Sequence, residues 1–417
     1  MNVILKRPIF PACQPSIKLL QTYGTNYQYG GIILSIQVLK PKYHVDKCLD
    51  QIRECLEVGW TGMGFKTVEF EEAWCKYTGH KHSHYLNSAT AGLNLAVEIL
   101  KKENHWADDD EVITTPITFV STNHAILLGN MKPCFADVDE YLCLDPVDVE
   151  KKITERTRAV MFVGYGGRIG RLAEILEICK RHKLKLILDA AHMAGTRVNG
   201  ITPGVWEGID VAVYSYQAVK NLPTADSGMI CFQHKEYDAI CRKMTWLGIN
   251  KDTYARSGSE GNYKWKYDVE YVGYKDHGNS IMAAIGLAEL PYLDEGNAYR
   301  RMLSEIYDVE LSRIPKIEII GAPHKEECSF HIYEIALENR DGLMDFLALN
   351  DVYCGVHYRD NIEYSMFSYA EGTCPNARRM SNNIVTLPLH LWLSEEDVRH
   401  ICVLIKEYTG QAFSQST

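Results

Sequence analysis

The chain has 417 residues, 46% of them hydrophobic and 24% charged, the balance of an ordinary globular protein able to bury a large core without disulfide staples. Forty-four Lys and Arg stand against 54 Asp and Glu, a formal charge of −10. That argues against nucleic acid or an anionic membrane as partner, yet leaves room for a small phosphorylated ligand held by local positive charge.

The 13 cysteines are scattered singly, with no Cys-x-x-Cys pair, so a zinc ribbon or thioredoxin-like site is not supported and no metal is expected. Most lie in apolar contexts such as Met229-Ile230-Cys231-Phe232, which reads as small buried thiols in a reducing compartment. Pro8 and Pro11 break the N-terminus before a signal-peptide core, and no apolar run approaches the roughly 20 residues of a membrane helix. A cytoplasmic protein is the expectation.

In chain order, residues 1–40 are rich in Tyr, Gly and Pro without a sustained period and read as an irregular extension. Helical spacing follows over Val45–Leu56 and Lys66–Tyr77, broken at Thr61-Gly62-Met63-Gly64. Apolar runs then predict strands at His84–Leu86, Glu111–Thr115, Pro133–Asp137, Ala159–Val163, Leu184–Leu188, Val211–Ser215 and Gly228–Phe232. Helical patterns at Ala91–Lys102, Val120–Leu128, Val147–Thr154 and Leu172–His182 lie between several of them. This alternation predicts an α/β fold, a mostly parallel seven-stranded sheet between helices, with ligands at the carboxyl ends of its strands. Beyond residue 280 the pattern changes. Ile281–Leu311 reads as one long helix or two joined near Pro291, followed by strands Ile317–Ile320 and His331–Leu337 and a helix at Gly342–Leu349. A final helix, Glu395–Tyr408, has Ser394 as N-cap and three acidic residues in its first turn, where they suit the helix dipole. The expected division is a large domain over 41–290 and a smaller C-terminal α+β domain over 291–417.

Four stretches at predicted strand ends carry candidate chemistry. Asp189, in Leu188-Asp189-Ala190-Ala191-His192, closes an apolar strand, where it is either a loop cap or a carboxylate waiting for a cation such as a protonated pyridine nitrogen. Ser215 and Lys220 follow another strand, and a lysine in a partly desolvated cleft can attack a carbonyl to form a Schiff base, although a surface lysine is the simpler reading of Lys220 taken alone. Ser88-Ala89-Thr90-Ala91-Gly92 leads into a helix whose free amides and hydroxyls suit a phosphate, or is an ordinary capped helix. Phe119 could stack on a flat heterocycle or sit in the core. Together these are the parts of a pyridoxal phosphate site: phosphate cradle, aromatic plate, carboxylate and imine-forming lysine.

With those residues in place, the chain resembles the DegT/DnrJ/EryC1/StrS sugar aminotransferases, which have the fold type I, aspartate aminotransferase-like architecture. The resemblance covers roughly residues 38–410. It is carried by Gly59-Trp60-Thr61-Gly62, Phe70-Glu71-Glu72, Ser88 to Gly92, Asp189 to His192, Ser215 to Asn221, Ala283 to Leu287, Gly355-Val356-His357-Tyr358 and Leu387-Pro388-Leu389-His390. It implies that Lys220 holds pyridoxal 5'-phosphate as an imine, that Asp189 pairs with the ring nitrogen, and that His192 lines the site. Phe119 would stack on the ring, and the Ala89, Thr90 and Ala91 amides with Ser215 would hold the phosphate. Thr61, Gln217, His357 and Tyr358 would lie toward the sugar nucleotide. It also implies a homodimer in which the partner's segment around Lys275 and His277 completes each site.

Three features depart from the family pattern: Gln217 where many members have His, Thr224-Ala225-Asp226-Ser227-Gly228 in place of a Gly-Glu-Gly-Gly turn, and the Asp276 to Ser280 run. The retained Lys220 favours transamination over dehydration. The implied activity is transfer of an amino group from L-glutamate to a nucleotide-linked 4-keto-6-deoxyhexose, as in perosamine- or viosamine-type 4-amino sugar and polysaccharide synthesis. The alternatives are a C3-keto sugar or cyclitol substrate, or a non-catalytic regulator that kept the fold.

Overall fold

The computed structural model describes residues 35–250 and 267–414. The expected extension over 1–40 therefore lies, as far as residue 34, outside the described residues. Two helices open the described chain, α1 (Val45–Val58) and α2 (Phe65–Thr78), each closed by a glycine with positive φ, Gly59 at 74° and Gly79 at 85°. That left-handed conformation lets the chain leave a helix sharply. Next come β1 (His82–Leu86), α3 (Ala89–Glu103), β2 (Glu111–Thr114), α4 (Ser121–Leu128), β3 (Lys132–Phe135), α5 (Pro146–Lys152), β4 (Thr157–Val163), α6 (Leu172–His182), β5 (Lys185–Asp189), β6 (Val211–Ser215), β7 (Gly228–Phe232) and α7 (Lys235–Met244).

All seven predicted strands are present and form one sheet in the order β1-β7-β6-β5-β4-β2-β3. Strand β7 runs antiparallel to both neighbours, and the other pairings are parallel. A parallel sheet needs both faces covered, and side chains here alternate between two cores. Ala159 and Met161 of β4 join Leu95, Val97 and Ile99 of α3 on one face. Val160 and Phe162 join Ile175 and Ile178 of α6 on the other. Because the strands are buried on both faces, they read in the sequence as continuous apolar runs.

The remainder comprises α8 (Ser280–Glu289), α9 (Leu293–Leu311), β8 (Glu318–Ile319), β9 (Tyr333–Ala336), α10 (Arg340–Leu349), α11 (Pro375–Asn383), β10 (Ile384–Leu387) and α12 (Glu395–Ser414). Of the two readings at Pro291, the pair of helices is the one found, joined by a 3-10 turn over Leu290–Tyr292. Strands β10, β9 and β8 make a second, antiparallel sheet in that order. The Ser394 cap forms as expected: its hydroxyl accepts from Asp397 N at 3.1 Å, and Asp397 Oδ2 accepts from Ser394 N at 2.7 Å. Ile36–Thr417 forms one compact unit.

Several polar groups are buried among these elements. Glu71 of α2 accepts from Tyr85 N and His84 Nδ1, both at 2.8 Å, and pairs with Arg242 of α7 at 2.9 Å, tying two helices to the edge of the sheet. Arg168 and Glu334, each without solvent exposure, pair at 3.0 Å between the β4–α6 connection and β9. Such a pair is costly to break, because removing one partner strands the other charge. Among the described residues, no helix is long and apolar enough to cross a membrane.

The close seating of α3 on the sheet depends on two glycines. A Cβ on Gly92 would stand 2.7 Å from Val213 Cγ1, and one on Gly228 would stand 2.5 Å from the backbone nitrogen of Ala89. Backbone cannot yield as a flexible side chain does. Gly228→Ala should therefore lower stability by about 1–3 kcal/mol in urea unfolding. Gly321→Ala, where a new Cβ meets nothing within 4 Å, should stay within about 0.5 kcal/mol.

Candidate active site

The carboxyl ends of β1, β2, β4, β5 and β6 open on a cavity of about 460 Å³, lined among others by Ser88, Phe119, Val163, Asp189 and Ser215 from those strand ends. Crossovers of a parallel sheet bring chain-distant residues together in this way. Ten of the predicted site residues line the cavity: Ala89, Thr90, Phe119, Asp189, His192, Ser215, Gln217, Lys220, His357 and Tyr358.

At the start of α3, Ser88 caps the helix by accepting from Ala91 N at 3.1 Å. The amides of Ala89 and Thr90, first in the helix, have no intrahelical acceptor and stand at the cavity with the helix dipole behind them. The Ala91 amide is already engaged by Ser88, and Ala91 does not line the cavity, so the cradle is narrower than expected. Phe119 lies two residues ahead of α4, with 59% of its surface exposed at the cavity wall and its ring centroid 6.1 Å from that of Tyr358. Exposure on that scale is unusual for a phenyl ring and leaves it available to a planar ligand.

Asp189, only 4% exposed, ends β5. Thr122 Oγ1 donates to its Oδ2 at 2.8 Å and Ala191 N to its Oδ1 at 3.1 Å. Burial raises its pKa, opposed by those hydrogen bonds and by the charge of Lys220. Lys220 lies in the β6–β7 connection, and burial pushes its amine down to about 8, with Asp189 opposing. Both groups are thus biased toward their neutral forms, so a cationic ring placed at Asp189 and an aldehyde placed at Lys220 would relieve each in turn.

His192 Nδ1 accepts from Gly166 N at 3.1 Å, which leaves its proton on Nε2, facing Tyr358 Oη at 3.1 Å. Burial first, then the charge of Lys220, drives its pKa well below the usual histidine range, so the ring is neutral. His357 Nδ1 meets Thr386 Oγ1 at 2.9 Å, and burial lowers its pKa to about 4. Gln217 Oε1 accepts from Val219 N at 3.1 Å, bracing the turn that carries Lys220.

Besides Ala91, three further predicted residues, Thr61, Lys275 and His277, stand outside this cavity. Thr61 is exposed, with its carbonyl accepting from Ser280 N at 3.2 Å. Lys275 bridges Trp246, its ammonium over the indole, and His277 bridges Leu86 at the end of β1. Sequence reasoning missed Thr122, one turn after Phe119, and His331, whose Nε2 lies 3.4 Å from Lys220 Nζ. The signal for His331 was a polar residue opening an otherwise apolar strand pattern. Leu39, Asp226 and Ser227 also line the cavity. No three His, Cys, Asp or Glu side chains among the described residues are grouped to hold a metal ion.

Residues 43–406 match the model of the DegT/DnrJ/EryC1/StrS aminotransferase family. The spore coat polysaccharide biosynthesis protein SpsC of Bacillus subtilis is 31% identical over 372 residues, 86% of this chain and 93% of that protein. The aminotransferase TlmJ of Streptoalloteichus hindustanus superposes with a TM-score of 0.82 at 30% identity, covering 91% of this chain and all of that one. The putative sugar aminotransferase Spr1654 of Streptococcus pneumoniae, in its PLP form, shares the fold with a TM-score of 0.81 at 24% identity over 90% of this chain and 99% of that one. The sheet, the cavity at its strand ends and these likenesses agree: the chain belongs to the DegT/DnrJ/EryC1/StrS aminotransferase family.

Proposed function

We propose that this enzyme moves an amino group from L-glutamate to the keto group of a nucleotide-linked deoxysugar, a 4-keto-6-deoxyhexose, giving a 4-amino sugar. The observation that carries the reading is the pairing of Lys220 and Asp189 within one cavity, each pushed by burial toward its neutral form. The cofactor, when bound, supplies an aldehyde and an electron-accepting ring. Lys220 would hold it covalently and, once released, carry a proton between two carbon atoms. The Asp189 carboxylate, fixed by Thr122 and Ala191, would keep the ring nitrogen protonated. The Ala89 and Thr90 amides with Ser215 would take the phosphate, and the exposed face of Phe119 would cover the ring. Gln217, His357 and Tyr358 are left for the sugar nucleotide and for L-glutamate, which would use the site in turn.

In this reading the enzyme is a homodimer. Exposed Val269, Val272 and Tyr274 flank Lys275 and give a partner an apolar surface to cover. Lys275 and His277, outside their own cavity, would serve the partner's. A cytoplasmic setting agrees with the twelve described cysteines, all free and nine of them buried.

Three outcomes follow from this reading. With the cofactor removed, labelling of Lys220 by an amine reagent should rise through a midpoint near pH 8, since burial lowers the pKa and frees the amine above that point; an unburied lysine would titrate near 10.4. The wild type should be yellow and convert to the amino form of the cofactor with L-glutamate, then aminate the keto sugar nucleotide, with NMR of the product locating the new nitrogen at C4. Lys220→Ala should be at least about a thousandfold slower, whereas a wild type inert toward every keto sugar nucleotide would contradict the assignment. Light scattering should give twice the chain mass, and mixing Lys220→Ala with His277→Ala chains should restore activity that neither has alone.

A further inference from the structure

The amine of Lys220 meets a single side chain within hydrogen-bonding reach among the described residues, His331, at 3.4 Å. His331 is 2% exposed and lies 111 residues away in sequence, at the entry to β9. Which of its ring nitrogens carries the proton follows from the partners behind it. Asn297 Nδ2 donates to the carbonyl of Ala194 at 2.9 Å, so Asn297 Oδ1 is the atom left to face Asn221. Asn221 Nδ2 donates to that oxygen and to the carbonyl of Ser329, both at 2.8 Å. Flipping the Asn221 amide would set an oxygen against a carbonyl, so its Oδ1 must face His331. There it meets His331 Nδ1 at 2.9 Å. A carbonyl oxygen only accepts, so the proton sits on Nδ1 and the lone pair of Nε2 points at Lys220.

The ring is kept neutral by its surroundings. The positively charged groups facing it are Lys220 and Arg300, with the rings of His192 and His357 alongside, the former 4.4 Å away between centroids. Burial and these neighbours all oppose a second proton. His331 is therefore a fixed acceptor, able to take one N–H from the lysine in either of the lysine's protonation states.

We propose that His331 is a positioning residue for Lys220: its Nε2 holds one N–H of the amine whenever that amine is not covalently engaged, and the Asn221–Asn297 relay fixes the tautomer that makes this possible. A neutral lysine held by one N–H keeps its lone pair for the reacting centre instead of swinging among rotamers. The proposal rests on the reading of Lys220 as the reacting lysine.

The test uses the full-length chain as wild type, His331→Leu and His331→Gln. Lys220 is labelled competitively with acetic anhydride across pH after removal of the cofactor, and the conversion of the bound cofactor by L-glutamate is timed separately. His331→Leu should lower the labelling midpoint of Lys220 by about one pH unit, because the charged amine loses an acceptor. It should slow the glutamate reaction about ten- to a hundredfold. His331→Gln, whose side-chain carbonyl can take the place of Nε2, should return both to within about threefold of wild type, a rescue that a purely structural role would not give. In the wild type, nitrogen NMR of labelled histidine should find the His331 proton on Nδ1, a readout independent of how any variant folds. A proton on Nε2, a wild-type midpoint in His331→Leu, or a His331→Gln protein as impaired as His331→Leu would each overturn the proposal. If the wild type itself never binds pyridoxal phosphate, the functional reading fails instead, so the two failures are separable.

Discussion

An acid and a base, buried at the ends of neighbouring strands and not bonded to one another, set the terms for the rest of this molecule. Asp189 closes β5 and Lys220 follows β6, and burial is the largest influence on both. A carboxylate in such a place is held by donated hydrogen bonds from Thr122 and Ala191 rather than by a salt bridge. A direct ion pair would have quenched both groups and closed the cavity. Keeping them apart preserves a nucleophilic amine and a site for a cation, the two properties that a pyridoxal phosphate enzyme requires.

The fold supplies that separation. The parallel strands of the sheet point their carboxyl ends the same way, so Ser88, Phe119, Val163, Asp189 and Ser215, distant along the chain, converge on one cavity. The glycines at 92 and 228 let α3 lie against the sheet, which brings its unsatisfied amides down to the level of Ser215. The second sheet contributes Thr386 and Glu334, which fix His357 and, through Arg168 and Tyr165, the frame behind Tyr358. Residues from the β9 and β10 region thus orient side chains that line the cavity at the other sheet's strand ends.

Much of this was legible in the sequence because buried strands and capped helices leave strong local signals. All seven strands of the large sheet appear within a few residues of their apolar runs, and β6 and β7 have the expected bounds. The helix α7 was missed although Tyr237, Ile240, Cys241 and Met244 repeat at helical spacing, because charged residues fill all but one of the other positions. The helix α11, Pro-Asn-Ala-Arg-Arg-Met-Ser-Asn-Asn, buries Ala377, Met380 and Ser381 on one face, but with only two apolar residues among them its periodicity gives little signal in the sequence. Of the four-residue β10 only Leu387 drew notice, as the first residue of a motif.

At the site, most side chains named from the sequence for their chemistry line one cavity, and those brought to it by packing geometry were not named. His331 and Asn221 matter because of which atom faces which, and spacing along a chain does not encode that. Ala91 was included in the phosphate cradle because its amide opens the helix, yet the cap at Ser88 already uses it. The central claim is that one amine carries the cofactor, and borohydride reduction of the yellow protein followed by peptide mapping tests it most directly. A single modified peptide containing Lys220 is the result this account requires; a tag on any other lysine, or on none, would contradict it.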